Sequence, residues 1–206
     1  MRVFTLSIIY SVLILSTLYG GYTAIGADVV SRNVWRGTDF GNAAALQPYI
    51  EFKKGKFTLG AWSSWAVNSG SANENDIYIS ADLGSFSLTV TDYFFPAYAG
   101  EDKIFDYSEK TGSHFVEISL GSTLGPVSIT GGYFLIDPDK SIYLEASYGP
   151  FLFGAGSGMH TIEGEEEKDS FQLVNIGLTA SRDNFSASYI INPDQETSFL
   201  VFGVNF

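Results

Sequence analysis

The chain has 206 residues with 11 Lys+Arg against 23 Asp+Glu, a formal charge of −12, which disfavours nucleic acid, whose phosphates need a basic surface. It contains no cysteine, so it carries neither a disulfide framework nor a thiolate metal site. Aromatics at 16% together with 22 glycines suit aromatic belts, tight turns and small lumen-facing residues better than they suit a soluble domain.

The amino terminus reads as a secretory signal peptide. Arg2 is a short positive start, Val3 to Leu18 is an apolar run with small hydroxyl interruptions, and Ala24, Gly26 and Ala27 follow as small residues around a cleavage site. The run is shorter than the roughly 20 apolar residues a spanning helix needs. Residues 1–26 are therefore the expected leader, and residues 27–206 a single domain with no Pro/Ser-rich linker. Removing Arg2 leaves 10 Lys+Arg and 23 Asp+Glu, a charge of 10 − 23 = −13.

Period-two alternation then recurs to the end of the chain. It predicts twelve strands, at 28–36, 46–53, 57–66, 75–83, 86–94, 113–121, 127–135, 141–148, 151–159, 171–181, 185–191 and 197–206. Short turns follow every second strand (Lys53 to Lys56, Gly84-Ser85, Ser122 to Pro126, Gly149-Pro150, Arg182 to Asn184), and longer polar connections follow the others, up to the stretch from Phe95 to Gly112. Short on one side and long on the other is the pattern of an antiparallel transmembrane β-barrel, with turns in the periplasm and loops outside. An even strand number puts both ends of the sheet at the short-turn side. There the last strand, with Leu200, Phe202, Val204 and Phe206 on one face, is expected to close the barrel and carry the signal for the barrel-assembly machinery.

Parity assigns the faces. Phe57/Leu59/Ala61, Ile77/Ile79/Ala81/Leu83, Val116/Ile118/Leu120, Ile142/Leu144/Ala146 and Val174/Ile176/Leu178 point to lipid. Aromatics gather at strand ends, with Phe52, Phe57, Phe86, Phe151, Phe185 and Phe206 near the short turns and Trp35, Trp65, Phe94, Tyr133 and Tyr189 near the long loops. The inward face carries Arg32 and Arg36 on the first strand, then Glu51, Trp62, Asp82, Glu117, Tyr143 and Glu145, with Tyr49, Tyr78, Tyr93 and Phe134 among them. Arg32 and Glu51 are expected to meet across the first hairpin. These groups form either a polar constriction with a mild cation preference or internal ion pairs that fill the lumen.

Catalytic and metal signals are sparse. The two histidines, His114 beside Ser113 and His160 beside Thr161, lack metal-ligand spacing and no Gly-x-Ser-x-Gly elbow is present. No cofactor or metal is expected, although a Ser/His/acid site on a barrel rim would need one of these histidines. The acidic run Glu163 to Asp169 and the long-loop residues Glu101, Asp102, Asp106 and Glu109 read as solvated loops, with the gathering of divalent cations beside lipopolysaccharide as the alternative.

The run Asp28-Val29-Val30-Ser31-Arg32-Asn33-Val34-Trp35-Arg36-Gly37-Thr38-Asp39, with Leu46-Gln47-Pro48-Tyr49, Leu59-Gly60-Ala61-Trp62 and Leu88 to Pro96, resembles the Gcw_chp family of conserved hypothetical outer-membrane proteins of proteobacteria. The resemblance covers nearly the whole chain after the leader, and Ser-Arg-x-x-Trp-Arg-Gly is its most specific part. It implies a location and a fold but no substrate. Asn33 departs from the aromatic expected there, and both Asn33 and Asp92 point to lipid under strict alternation. The combined expectation is an outer-membrane barrel serving as a narrow pore or facilitator for a small, possibly cationic solute, in contact with outer-membrane lipid and lipopolysaccharide. A plugged structural or surface-interaction barrel is the alternative, and a lipid-modifying enzyme the second.

Overall fold

The computed structural model describes residues 20–68, 73–96, 104–162 and 170–206. Most of the expected leader, Glu101, Asp102 and the acidic run 163–169 lie outside them. The described chain forms one closed antiparallel barrel of twelve strands. The strands are β1 (Tyr22–Val30), β4 (Ala45–Lys54), β5 (Phe57–Ala66), β6 (Glu74–Asp82), β7 (Phe86–Phe94), β8 (His114–Leu124), β9 (Val127–Ile136), β10 (Ile142–Tyr148), β11 (Phe151–Gly156), β12 (Gln172–Arg182), β13 (Phe185–Asn192) and β14 (Thr197–Asn205). Two further two-residue strands, β2 (Val34–Trp35) and β3 (Thr38–Asp39), form a hairpin of their own outside the barrel sheet.

Each strand pairs with its sequence neighbour, and β14 returns to β1 through Asp28↔Asn205, Val29↔Val204 and Val30↔Gly203. Backbone bonds between Ala27 and Phe206 and from Ser31 to Phe202 complete the seam. Closure satisfies the edge groups that an open sheet would leave unpaired. Four glycines (Gly55, Gly84, Gly125, Gly149) and Asp183 adopt positive φ at the five short turns, which lets links of two or three residues reverse the chain.

Alternation sorts the side chains as the pattern requires. Phe57, Leu59, Ile77, Ile79, Leu120, Leu144, Leu178, Leu200 and Phe202 are exposed on the outside, an apolar belt that fits a membrane-embedded barrel. Tyr143, Phe134 and Glu117 are buried inside. Two wall irregularities interrupt the alternation. Between β8 and β9, Glu117 faces Phe134 while Val116 faces Ile136, leaving Leu135 as an extra residue. Between β11 and β12, Asn175 faces Gly154 while Leu173 faces Ala155, leaving Val174 over. Val174 is consequently fully buried and not lipid-facing as strict parity expects, because the bulge moves the phase by one residue.

Three expectations at the start of the chain are corrected. The first strand is Tyr22–Val30 rather than 28–36, so the expected leader boundary at residue 26 falls inside β1. Arg32, Asn33, Trp35 and Arg36 leave the wall altogether, and Trp35 does not join the aromatic girdle. Asn33 does not face lipid, since its Oδ1 accepts a hydrogen bond from Gln47 at 3.1 Å. Asp92 does point outward, but His114 Nδ1 lies 2.8 Å from its Oδ1 and Tyr107 donates to its Oδ2 at 2.7 Å. The returning long loop thus covers the charge.

Candidate functional site: a hairpin docked in the lumen

Between β1 and β4 the chain turns into the barrel instead of looping outward. Trp35 pairs with Thr38 and Val34 with Asp39, joined by Arg36 at φ 50° and Gly37 at φ 83°. Two successive positive φ angles make the mirror-image two-residue hairpin turn, and glycine suits its second position. Asp39 holds the returning strand. Its Oδ1 accepts from the backbone N–H of Gly41 and Asn42, and its Oδ2 accepts from Arg32 Nη1 at 2.6 Å. Arg32 is therefore a brace within this segment and does not meet Glu51.

The turn places Arg36 in the middle of the lumen. Its Nη2 donates to Glu117 Oε1 at 2.7 Å and Oε2 at 3.1 Å, and Tyr93 donates to Oε2 at 2.8 Å. The guanidinium lies over the ring of Trp35 at 4.2 Å and that of Tyr143 at 4.3 Å. Planar stacking of this kind suits Arg where Lys would not serve. Side-chain exposure is 10% for Arg36 and 1% for Glu117, so each charge depends on the other. Glycines make room for this arrangement. A side chain at Gly132 would overlap the Glu117 carboxylate, and one at Gly154 the Tyr143 hydroxyl.

The two wall bulges sit where the hairpin touches the wall. A Cβ at Gly37 would overlap the carbonyl oxygen of Val174, the bulged residue of β12. Leu135, the extra residue of β9, follows Phe134, the partner of Glu117, which Arg36 grips. Asn192 Nδ2 donates to the Gly37 carbonyl at 3.3 Å, and Gln195 Nε2 to Thr38 Oγ1 at 3.3 Å. The loops Ile136-Asp137-Pro138-Asp139 and Ile191-Asn192-Pro193-Asp194 are near copies in sequence and diverge here. Asp137 accepts only, from the Ser141 backbone and hydroxyl. Asn192 accepts from Gln195 N–H and still has an amide to give the hairpin.

From the β11–β12 connection, the 3-10 turn Gly158–His160 also folds inward. His160 is 3% exposed, with the rings of Trp35, Phe134 and Tyr143 around it at 5.7, 5.9 and 5.2 Å. Burial, and secondarily Arg36, depresses its pKa to about 3. The neutral ring offers Nε2 to Arg36 Nη1 at 3.5 Å. Phe95, Phe115 and Phe134, with Trp35, Phe40, Tyr93 and Met159, form the apolar part of the same stopper.

The remaining candidates sit around it. Trp62 and Glu51 line a cavity of about 610 Å³ along β4–β7, bounded on the other side by Val34 and Trp35. Glu51 is bonded there by Tyr78 at 2.6 Å and Lys53 at 2.7 Å. Glu145 and Tyr143 line a second cavity of about 380 Å³ along β9–β13, where Tyr143 donates to Glu145 at 2.8 Å and accepts from Asn175 at 3.2 Å. Asp82 is exposed at the end of β6, accepting from the Gly84 N–H at 2.8 Å; it belongs to a turn and not to a constriction. Phe202 and Phe206 lie exposed on the outside of β14, and Val204 sits in the seam opposite Val29.

Neither histidine faces a serine hydroxyl in these bonds. His114 directs its ring nitrogens to Asp92 and, at 3.0 Å, to the Ile104 carbonyl. Sequence reading missed the hairpin, His160, Asn175 and Asn192 as parts of one site. The available signal was Arg36-Gly37 followed two residues later by Asp39, a turn written inside an otherwise strand-like run. No protein-family model matches the chain, and no curated protein matches it.

Proposed function

We propose that this chain is an outer-membrane barrel held shut by its own β2–β3 hairpin, a plugged barrel in its resting state rather than a constitutively open pore. The observation that carries this reading is Arg36, clamped between Glu117, Trp35 and Tyr143 across the lumen. The apolar outer belt and the alternation of short turns with long loops support the membrane location, and the Ser-Arg-x-x-Trp-Arg-Gly run supports kinship with the Gcw_chp family.

A gated facilitator is the second reading, favoured by the inward face on the short-turn side of the hairpin. Thr179, Ser181 and Ser186 there are small, polar and exposed, so displacement of the hairpin together with the Gly158–His160 turn packed on it would join this vestibule to the long-loop side. The test is conductance of the refolded barrel in a planar lipid bilayer. The unaltered chain is expected to be silent. Gly37→Ala, which drives a methyl into the Val174 carbonyl, is expected to give discrete steps. Steady conductance of the unaltered chain would overturn the plugged reading; silence of both proteins would remove the gated one.

A further inference from the structure

A carboxylate on the outer wall is matched by a returning loop. Asp92 points outward from β7, level with Ile77 of β6 and Val116 of β8, and Ile77 is exposed. The connection that leads into β8 comes back over this row. Tyr107 donates to one carboxylate oxygen at 2.7 Å, and His114 Nδ1 lies 2.8 Å from the other. The His114 ring is held between Phe94, with centroids 4.6 Å apart, and Tyr107, at 4.1 Å. Its Nε2 lies 3.0 Å from the Ile104 carbonyl oxygen. Ile104 and Tyr107 are thereby both tied to the outer face of the barrel.

Height decides what this stretch meets. Phe57, Phe86, Phe151 and Phe185 are exposed around the short turns and mark one edge of the apolar band. Phe94, the cross-strand partner of His114, ends the nine-residue β7 that Phe86 begins. Those eight steps are about 27 Å of strand, or about 21 Å of height at a tilt of about 40°, within a band about 25 Å tall. The loop therefore rests on the wall below the far edge of the band. It leaves two apolar side chains uncovered there, with Ile104 57% and Phe105 87% exposed.

We propose that segment 104–107 is a lipid-contact element, a loop tip laid on the outer wall so that Ile104 and Phe105 enter the acyl chains beside the strands. Continuity carries this assignment. The polar groups of the contact, Asp92, His114 and the Tyr107 hydroxyl, bond one another against the wall, while the apolar side chains extend the exposed surface of the belt, where lipid takes them out of water. The proposal rests on the membrane location and goes beyond it, because the contact is made by a connection and not by a strand.

The chain has no cysteine, so Phe105→Cys and Ile104→Cys each provide a single site for a nitroxide label. Leu59→Cys, on the exposed apolar face, serves as the lipid reference. Arg182→Cys, at a short turn where the side chain is 93% exposed, serves as the water reference. Each barrel, refolded in dimyristoylphosphatidylcholine vesicles and checked for folding by its heat-dependent gel shift, meets oxygen, which concentrates in lipid, and a nickel chelate, which stays in water. Paramagnetic resonance of the Phe105→Cys label is expected to show oxygen access and nickel shielding, shifted from Arg182→Cys to the Leu59→Cys pattern. Nickel access at Phe105→Cys overturns the proposal. So does shielding from both reagents with spin–spin broadening, the mark of a second copy seated on the loop. A Leu59→Cys label that itself reports water removes the membrane location and this proposal with it, whereas lipid at Leu59→Cys and water at Phe105→Cys removes this proposal alone. Ile104→Cys decides the matter by the same criteria if Phe105→Cys does not fold.

Discussion

Arg36 and Glu117 show how a single residue pair ties the hairpin to the barrel wall. Taking both charges out of water is unfavourable, and the pair holds because Tyr93, Trp35 and Tyr143 complete its surroundings. Removing one partner strands the other. Glu117→Gln is expected to weaken hairpin docking by roughly 3 kcal/mol, speeding amide exchange over residues 33–40 by about 10²-fold, as read by hydrogen–deuterium exchange mass spectrometry. His160 adds a pH dependence. Its folded pKa of about 3 lies below the ordinary value of about 6.5, so a released His160 binds a proton that the docked one refuses. Docking is thus fully stable above about pH 6.5 and weakens as pH falls from there towards 3. Exchange of the hairpin measured between pH 7 and 4, corrected for intrinsic rates, should show this weakening, and His160→Gln should flatten it.

At the scale of elements, the seam between β1 and β14 is the short one. It runs from Ala27 to Ser31 on one side and from Phe202 to Phe206 on the other. Tyr22 to Gly26 pair only with Lys53 to Tyr49 of β4. A chain beginning at Ala27 therefore keeps every closing pair, and it is expected to fold into a barrel whose band shifts on heating in a gel. Deleting Asn205 and Phe206 from the same chain removes the Ala27 and Asp28 pairings and is expected to abolish that shift. The strands were legible because the period-two signal is strong where one face is an exposed apolar belt and the other lines a lumen. The hairpin was not. Its first residues read as the end of a strand at 28–36, and two positive φ angles at Arg36 and Gly37 turn the chain back on itself there.

Across the whole molecule, the outer belt and the inner site obey opposite rules. A charge placed outward among lipid costs about 2–4 kcal/mol at the midplane of such a barrel, whereas lumen positions tolerate it. Leu59→Arg and Leu144→Arg, both on the exposed apolar face, are expected to lower folding stability in lipid vesicles by that amount in urea titrations. Thr179→Arg, at an exposed inward position, is expected to change it by far less. If the outward substitutions were harmless in lipid, the membrane location would lose its support.

Sequence alone determined the strand count, most of the faces and the alternation of short and long connections, because each is a local property of period, turn chemistry and length. Gly55, Gly84, Gly125 and Gly149 mark their turns wherever the rest of the chain goes. Only the tertiary structure decided that Arg36 meets Glu117 and not Glu51, that Arg32 turns to Asp39, and that His160 closes over Trp35. These contacts join residues as far apart as Trp35 and His160. They depend on two bulges and a reversed segment that shift the phase of the pattern, and a periodic signal carries no record of where its phase is broken.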